Sequence, residues 1–419
     1  MFRKAKIIVI FFSALFVVYG LVGGMLNRVS AKDNAYQDLR IFTDILSKVR
    51  EDYVEEPDME KAMQGGIQGM MEALDPYSSF IDRKTYQEIQ RSRGELTASP
   101  GIILSKRYGY AYVVSVVSGS PAQQRGLRTG DLLESIDGEM TSQMSLWEAR
   151  KLLLGTEESS VHLRVIRARR SAPSQVDLVR ENLPLPEVSA RIVEEGIGLL
   201  SIPHFEEGVA QLVSAKLKML LSSGMKGLLV DVRGTAQGAF EEAVEISDLF
   251  LPKGKKILTV SDREGNKTEF VSLTVPLVSG IRVVLLMDRG SSGAAEVFVA
   301  ALKDHDIAGT VGERTDGQGS VQDLIYLEDG SVLEILTGLF YRSTGVPIQS
   351  RKLNDSGIAP EVRSPDQDFL TKFYFDNTPD EGETALRDQF YQDLSAAIQA
   401  LQFEEGLKEV RRRLLREAA

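Results

Sequence analysis

From residue 196 onward, short apolar runs rich in β-branched residues alternate with segments of helical spacing. GIGLLSIP is followed by VAQLVSAKLKMLLSSG, and GLLVDVR is followed by EEAVEISDLFLP. IRVVLLMD and AGTVGERT flank the helical EVFVAALKDH, and VQDLIYLEDG and SVLEILTGLFY come next. Strands that alternate with helices are typical of a mainly parallel sheet covered by helices. We therefore predict an α/β core over residues 169–365, preceded by other domains because the chain has 419 residues.

The N-terminus carries an apolar segment long enough to cross a membrane. Residues 7–26 contain no charged residue and follow three basic residues. Because such basic residues stay in the cytoplasm, we expect the rest of the chain to be periplasmic and anchored to the inner membrane. VSA, which ends at Ala31, also fits a cleavage site, and cleavage there would make the chain secreted. Residues 1–32 are therefore a signal peptide or a membrane anchor.

The next region, residues 33–93, is predicted to be helical. In LRIFTDILSKVREDYVEE, apolar residues recur every four positions from Ile41 to Val49. MEKAMQGGIQGMMEAL forms a second helical segment, which ends before Asp75 and Pro76. The region is a packing module or a dimer arm. It also offers a surface for an active paralogue or for a second copy of the chain.

Residues 94–168 are predicted to form a small β-rich unit. GIILS, YVVSVV and VHLRVIRA are strand-like, and SLWEARKLLLG is an amphipathic helix. Residues 120–138 fit the pattern S-P-A-x-x-x-G-L-x-x-G-D-x-L-x-x-I-D-G. This pattern resembles a PDZ domain. The resemblance implies that a peptide adds to a sheet edge and that a loop of backbone N–H groups holds its terminal carboxylate.

The loop that matches this role consists of Pro100, Gly101, Ile102 and Ile103. Trp147, the single tryptophan of the chain, lies in the predicted helix that borders the peptide groove. We expect peptide or protein C-termini as partners of this unit. The alternative is a packing or gating domain that binds no peptide.

Two polar segments flank the predicted core. RSAPSQVDLVRENLPLPEV, residues 170–188, is predicted to connect the PDZ-like unit to the core. Residues 366–419 are predicted to form a charged tail that is helical in places, with a loose stretch at FDNTPDEGETALRD.

The composition argues against several classes of function. A net charge of −11 makes binding to nucleic acid an improbable main task. Because the chain has no cysteine, thiol catalysis, Cys-ligated zinc and disulfides are excluded. Three histidines, His162, His204 and His305, leave little for a His-based triad or a multi-His metal site. We expect no metal and no cofactor.

A candidate nucleophile segment, DRGSSGAAE, occupies residues 288–296 between an apolar strand-like run and a helical segment. A turn of this kind brings side chains to a helix N-terminus, where free backbone N–H groups stabilise negative charge. Ser291 and Ser292 are the candidate nucleophiles. Gly293, which follows them, has no side chain.

Several motifs resemble those of the C-terminal processing peptidases, also called tail-specific proteases. LDPYSSF fits the signature L-D-P-H-S-S-F/Y, with Tyr77 in the His position. The PDZ-like unit follows, and KGLLVDVR, DLFLPKG, VGERT, GSVQ and GIAPEV stand in order after it. The resemblance covers roughly residues 38–362 and implies an α/β peptidase core with an inserted PDZ domain. It also implies cleavage of exported proteins near apolar C-termini by a Ser–Lys dyad, without a metal.

The dyad of that family is absent at the matching positions. In such a dyad, a Lys that burial keeps neutral takes the proton of the Ser hydroxyl. The family's G-S-A-S-A-S-E reads G-S-S-G-A-A-E here, so Gly293 occupies the nucleophile position. F-G-K-G-[ST]-V-Q reads D-G-Q-G-S-V-Q, so Gln318 occupies the Lys position while Gln322 is retained. The N-N-P-G-G turn that frames the oxyanion site reads GTAQG over residues 234–238. Neither glycine nor a glutamine amide supplies the missing chemistry, so we predict a folded, catalytically inactive member.

Three functions remain open. The chain is a binding or adaptor protein, a regulatory subunit of an active paralogue, or an active serine endopeptidase with a relocated nucleophile. The last requires Ser291 or Ser292 and a base from elsewhere in the chain, such as His204 or His305, since Lys303 belongs to the following helix and to a solvated end. A shift by one helical position turns a side chain by about 100°, and misplacement on that scale lowers rates by orders of magnitude. We therefore expect no cleavage, with the histidines as surface or packing residues.

Overall fold

The computed structural model of the chain describes residues 39–92, 94, 96–167, 173–350, 355–364 and 384–418. The chain forms two compact units, Met1–Gly69 and Met70–Ala419. Among the described residues, no helix combines the length and the apolar character that a membrane span requires. The predicted anchor or signal peptide, residues 1–32, lies outside the described residues.

The N-terminal region is helical, as predicted, apart from one short strand. Helix α1 covers residues 39–52, helix α2 covers Met59–Leu74 and helix α3 covers Arg83–Ser92. Strand β1, Ser79–Ile81, interrupts the region that we predicted to be helical. It pairs antiparallel with residues 332–334. The local sequence did not reveal this strand because its partner lies about 250 positions away in the chain.

The PDZ-like unit is a six-stranded antiparallel sheet with two helices. Its strands are β2 Ile102–Arg107, β3 Tyr110–Val116, β4 Leu132–Ile136, β5 Glu139–Met140, β6 Ser160–Ile166 and β7 Ser174–Val179. Its helices are α4 Pro121–Gln124 and α5 Leu146–Leu153. The strand order is β2-β3-β4-β6-β7, with β5 paired to β4, so β2 lies at an edge. A capping box between Ser145 and Glu148 starts α5.

Strand β7 lies in the segment that we predicted to be a connection. It pairs with β6 from Ser160 opposite Val179 to Val165 opposite Ser174. Leu178 is buried in the apolar core of the unit. The sheet therefore extends beyond residue 168, its predicted end, because β7 covers the edge that β6 would otherwise expose.

The core combines two sheets. Its strands after β7 are β8 Ser189–Glu194, β9 Ile197–Ser201, β10 Gly227–Asp231, β11 Lys256–Asp262, β12 Lys267–Val271, β13 Arg282–Met287, β14 Ala308–Gly312, β15 Ser320–Tyr326, β16 Val332–Tyr341 and β17 Val362–Arg363. One sheet has the order β17-β14-β13-β10-β9-β8 and is parallel except for the β8–β9 pair. This confirms the predicted α/β core.

The second core sheet is antiparallel and has the order β1-β16-β11-β12, with β15 paired to β16. The two segments VQDLIYLEDG and SVLEILTGLFY thus form a hairpin rather than members of the parallel sheet. Their short polar turn, closed by the N–H of Leu327 bonding to the carbonyl of Ser331, permits only antiparallel pairing.

Helices cover both faces of the parallel sheet. Helices α6 Val209–Ser222, α7 Phe240–Asp248 and α8 Ala294–Asp304 pack into one apolar core with alternate strand residues such as Val230 and Leu285. The intervening strand residues, such as Leu229 and Val284, face helix α9, Thr384–Ala418, through Leu407 and Val410.

Helix α9 therefore belongs to the core, although we predicted a charged tail over residues 366–419. A Cβ on Gly227 would lie 2.5 Å from a side-chain carbon of Val410, so the helix approaches β10 closely. The Arg- and Glu-rich composition of the helix obscured its apolar stripe. Several of those charges pair with one another or with the core, as Arg411 does with Glu194.

Candidate functional site

The chain turns sharply between β13 and α8. Gly293 is the N-cap of α8, with φ 60° and ψ −113°. L-residues adopt this region rarely, and a nucleophile on a strand-to-helix turn is typically held in such a strained conformation. A Cβ at Gly293 would meet no other heavy atom within 4 Å. The backbone thus presents position 293 to open space, as a nucleophile position requires.

The three positions singled out by the motifs line one cavity. Gly293, Gln318 and Gln322 border a space of about 290 Å³ together with Ala236 and Gly238 of the turn that follows β10. No lysine and no histidine belongs to this lining, all of which lies in described residues. The structure therefore brings together the two positions that the motifs match to the nucleophile and the base, and neither carries a serine or a lysine; the one hydroxyl residue in the described lining is Ser320.

The carboxyl group of Glu296 ties the start of α8 to the segment that carries Gln318. Its Oε2 accepts hydrogen bonds from the N–H groups of Gln318 (2.8 Å) and Gly293 (3.1 Å). Its Oε1 accepts from the N–H of Gly317 (2.8 Å) and from the hydroxyl of Thr315. One buried side chain therefore fixes the spacing between the two dyad positions, which lie on separate segments.

Buried carboxyl groups surround this turn. Burial and the nearby Asp316 carboxyl raise the pKa of Glu296 to about 8, against the effect of its hydrogen bonds. Burial also raises the pKa values of Asp288 and Asp316. The site therefore disfavours additional negative charge in its interior.

Ser291 is not placed to attack a substrate. Its side chain is 0% exposed. Its hydroxyl donates to the carbonyl oxygen of Val232 (2.8 Å) and accepts a hydrogen bond from the N–H of Asp288 (3.1 Å). These contacts join the turn to the end of β10, which is a structural role.

Ser292 is 1% exposed and does not line the cavity that Gly293 borders. Its hydroxyl lies 3.0 Å from Oδ2 of Asp316 and 3.2 Å from Oε1 of Gln318. Asp316 is thus the only carboxylate partner shown for this hydroxyl among the described residues. A substrate carbonyl has no access to Ser292 in this arrangement.

Asp316 connects the site to the PDZ-like unit. Arg107, at the end of β2, donates from Nη2 to Oδ1 of Asp316 (2.6 Å) and to its backbone oxygen (3.0 Å). The guanidinium carbon of Arg107 also lies 4.4 Å from the ring centroid of Tyr112. The ion pair between Arg107 of the PDZ-like unit and Asp316 of the core therefore lies two positions before Gln318 in the chain.

Our sequence analysis did not assign a role to Arg107, Asp316 or Tyr77. Tyr77, in the His position of its motif, lines a cavity of about 700 Å³ with Arg107 and Asp316. Burial and the charge of Asp316 raise the pKa of Tyr77. The available signal was that Asp316 stands where the motif has Phe. Asp316 and Tyr77 line the same cavity. Because they belong to separate motifs, the sequence alone did not show that they lie close together.

The altered turn after β10 still docks against the nucleophile turn. The N–H of Gly234 donates to Oδ1 of Asp288 (2.9 Å), and the N–H of Ser292 donates to the oxygen of Thr235 (2.9 Å). Gly238 has φ 111°, and a Cβ there would lie 2.0 Å from the carbonyl carbon of Phe205. The last glycine of the motif is therefore required by packing.

The alternative bases lie elsewhere. Nε2 of His204 lies 3.1 Å from the oxygen of Pro186, and Nε2 of His305 lies 2.7 Å from the oxygen of Lys256. Lys303, half-buried, donates to the oxygen of Ala359. His162 lies 2.8 Å from Asp177 on the surface. Within the described part of the chain, no group of three or more His, Asp or Glu side chains is arranged to hold a metal ion.

The predicted carboxylate loop of the PDZ-like unit is firmly built. Gly101, with φ 82°, fits against Ser120, where a Cβ would approach to 2.3 Å. The oxygen of Pro100 accepts a hydrogen bond from the N–H of Ala122 (3.0 Å). Ile102 begins β2, while Ile103 lines a separate cavity of about 260 Å³ beside the peptidase core.

Trp147 lies with α5 in a different cavity, of about 530 Å³. The walls include the apolar side chains Ile89, Leu96 and Leu154 and the charged side chains Arg150 and Glu334. None of the four predicted loop residues lines this cavity. The cavity beside α5 therefore has charged as well as apolar walls and lies apart from the predicted loop.

Family models match three parts of the chain. Residues 196–364 match peptidase family S41, residues 112–167 match a PDZ domain, and residues 22–85 match the N-terminal domain of the activating protease CtpB. Along the chain, the three matches stand in the order that the motifs predicted: N-terminal domain, PDZ domain and then peptidase core.

Proteins with assigned functions are similar over most of the chain. A carboxy-terminal-processing protease of Bartonella bacilliformis is 30% identical over 335 residues, which cover 79% of this chain and 76% of that protein. The carboxy-terminal processing protease CtpA of Bacillus subtilis is 29% identical over 356 residues, covering 84% and 74%. The solved photosystem II D1 C-terminal processing protease superimposes with a TM-score of 0.65 at 25% identity, covering 75% of this chain and 86% of that one.

Proposed function

The chain belongs to the C-terminal processing proteases of peptidase family S41, and we propose that it binds peptide or protein C-termini without cutting them. The PDZ domain captures the C-terminus, and the peptidase cleft holds chain without reacting. The protein then acts as an adaptor or as a regulator rather than as a protease.

Position 293 carries this proposal. A glycine stands on the strained turn that aims a side chain into the cavity, and Gln318 stands at the base position. A Ser–Lys mechanism needs a hydroxyl and a neutral amine at these two points. Ser291 and Ser292 are buried and hydrogen-bonded, so neither replaces the missing hydroxyl.

The cleft retains features that suit a bound peptide. β15 is an edge strand, paired only with β16 in the described sheet. Oγ of Ser320 and Nε2 of Gln322, both in cavity-lining residues, are buried without a hydrogen-bond partner among the described atoms. Unpaired buried polar atoms at a cavity wall favour a ligand or water there.

We also propose an extracytoplasmic location. The apolar run over residues 7–26 supports an inner-membrane anchor with the two domains in the periplasm, or secretion if the chain is cut after Ala31. No nucleic-acid partner is proposed, given the net charge of −11.

A regulatory role beside an active paralogue, or within a homo-oligomer, is the second candidate. Helix α1 exposes Leu39 (61%), Ile41 (51%) and Ile45 (55%). Apolar residues exposed along one helix favour contact with another protein.

The test is a cleavage assay with the full chain. The protein, kept in detergent, is incubated with an unstructured protein that ends in apolar residues, and fragments are identified by mass spectrometry. We expect no fragments from the natural sequence. The double variant Gly293→Ser, Gln318→Lys is expected to cut, because the frame around both positions is present.

The matched control is Gly293→Ala with Gln318→Lys, which imposes the same backbone strain and lacks the hydroxyl. It should not cut. Cleavage by the natural sequence that is lost in Ser291→Ala or Ser292→Ala would refute the proposal and establish the relocated nucleophile.

A further inference from the structure

The cavity beside α5 has a wall of unusual charge. Trp147 and Arg150 of α5, Leu154 directly after the helix, and Glu334 of β16 line this cavity. The volume of about 530 Å³ is in the range of sites that take small ligands or peptide side chains. Arg150 of this cavity contacts Leu104 of β2, the strand at the end of the sheet that a PDZ ligand would extend.

Arg150 spans the space between α5 and β2. Its Nη2 donates to the backbone oxygen of Leu104 (3.2 Å), the one hydrogen bond shown for this guanidinium within the described structure. A guanidinium has five N–H donors in a planar fork that matches a carboxylate. Arg150 therefore holds unused donors at the wall of the cavity.

The oxygen that Arg150 contacts is one that a peptide strand would use. Leu104 pairs with Val113 of β3. The N–H of Val113 donates to the oxygen of Asp131, and the oxygen of Val113 accepts from the N–H of Gly130. Leu104 and Val113 are therefore not hydrogen-bonded to each other. In antiparallel pairing, Leu104 then turns its own backbone groups toward the open edge. A peptide added to β2 must take the place of Arg150 at this oxygen.

The displaced guanidinium needs a new acceptor, because a half-buried charge without hydrogen bonds is costly. Leu104 lies two positions after Ile102 of the carboxylate loop. A strand antiparallel to β2, with its terminal carboxylate at that loop, places its third-last residue opposite Leu104. We propose that this PDZ groove selects C-termini with an acidic side chain at the third-last position, which binds Arg150.

This inference rests on the proposed capture of C-termini and names the peptides captured. Glu334 is the internal competitor for Arg150: the two charges attract, although burial raises the pKa of Glu334. Lys151, which lines the same cavity, pairs with Glu88 at 3.2 Å. An acidic ligand residue would give the guanidinium of Arg150 a carboxylate partner beside it, whereas the carboxyl group of Glu334 belongs to β16 in the cavity wall.

The test uses fluorescence of Trp147, the only tryptophan in the chain, with the full chain in detergent. Three synthetic peptides share one sequence and end in Glu-Ala-Val, Gln-Ala-Val, or Glu-Ala-Val with a terminal amide. We expect the Glu peptide to bind about tenfold more tightly than the Gln peptide, the gain typical of a charged hydrogen bond. The amidated peptide should bind weakly.

Variants separate the outcomes. Arg150→Gln should bind the Glu and Gln peptides equally, and Glu334→Gln should bind the Glu peptide more tightly while leaving the Gln peptide unchanged. If the natural chain binds the Glu and Gln peptides equally, the acidic preference is refuted and C-terminal capture is left intact. A preference that survives in Arg150→Gln would also refute it. Failure of all three peptides to bind would refute capture by the groove itself.

Discussion

The peptidase cleft and the PDZ groove differ in which of their parts are present. In the cleft, the turn at Gly293 and the carboxyl of Glu296 hold the two motif-matched positions together, while neither position carries a serine or a lysine. In the groove, the side chains to which we assign ligand contacts are in place, with Trp147 and Arg150 at the wall of the neighbouring cavity. The cleft thus keeps its backbone geometry without a Ser–Lys pair at the matched positions, whereas the groove keeps the side chains that our proposal uses.

This difference shows that packing and chemistry constrain different atoms. Gly238 cannot change because Phe205 fills the space of its Cβ, and Glu296 cannot change because it bonds two segments. A serine at position 293 would instead face open cavity, so its loss removes no packing. A side chain at position 293 can therefore change without a change in the packing of the fold.

The largest expected effect concerns the charged link between the two regions. Arg107→Met should destabilise the protein by about 3 kcal/mol, because Asp316 is then left buried without its cationic partner. Ser292, which also bonds Asp316, should become mobile. Urea unfolding followed by circular dichroism measures the change.

The matched control is Arg107→Met with Asp316→Leu, which replaces the ion pair by apolar side chains of similar volume. This double variant should recover most of the lost stability, since a buried pair contributes little net free energy. If it is as unstable as the single variant, the link is not a balanced ion pair, and the frame of the cleft depends on something else.

The sequence predicted the large elements of this fold because their signals are local. The segments GLLVDVR and IRVVLLMD carry their apolar, β-branched pattern within a few residues, and both became parallel strands. β1 was missed because its partner lies about 250 positions away. β7 pairs with the neighbouring β6 and was missed because it lies in a polar, Pro-containing segment. Helix α9 was taken for a tail because its charged residues outnumber the apolar stripe formed around Leu407 and Val410.

For the candidate site, the family resemblance singled out positions 293, 318 and 322, and the structure places all three at one cavity. The resemblance gave no hint of Arg107, which comes from another domain and reaches Asp316 across 209 positions of chain. Nor did it reveal that Arg150 occupies the edge of β2. Contacts made between domains leave no periodic pattern in a single sequence.

The second expected effect is a pH dependence that belongs to the cleft and not to the groove. The pKa of Glu296 is about 8 in the folded chain and 4.5 in its reference state. Between these values the folded state binds more protons than the unfolded state, so the unfolding free energy falls as pH rises. Asp288 and Asp316, whose pKa values are also raised, add to this slope.

Urea unfolding between about pH 5 and pH 8 should therefore show a loss of more than about 1.4 kcal/mol, the equivalent of one pKa unit. Glu296→Gln should be less stable throughout, because its amide N–H₂ faces backbone donors, and its slope should be flatter. An unchanged slope in this variant would show that Glu296 does not titrate in the folded chain.

The smallest expected effect tests the groove alone. Ser145 caps α5 by accepting the N–H of Glu148 at 3.1 Å, and Glu148 returns a bond to the N–H of Ser145 at 2.7 Å. Ser145→Ala should cost about 1 kcal/mol and should loosen Trp147 and Arg150, which lie in the first two turns. Trp147 fluorescence should then report weaker peptide binding, while the pH slope of stability stays as in the natural chain, since Glu296 lies in the other domain. A change in that slope would mean that the groove and the cleft are coupled through Arg107, and the comparison between two separable regions would fail.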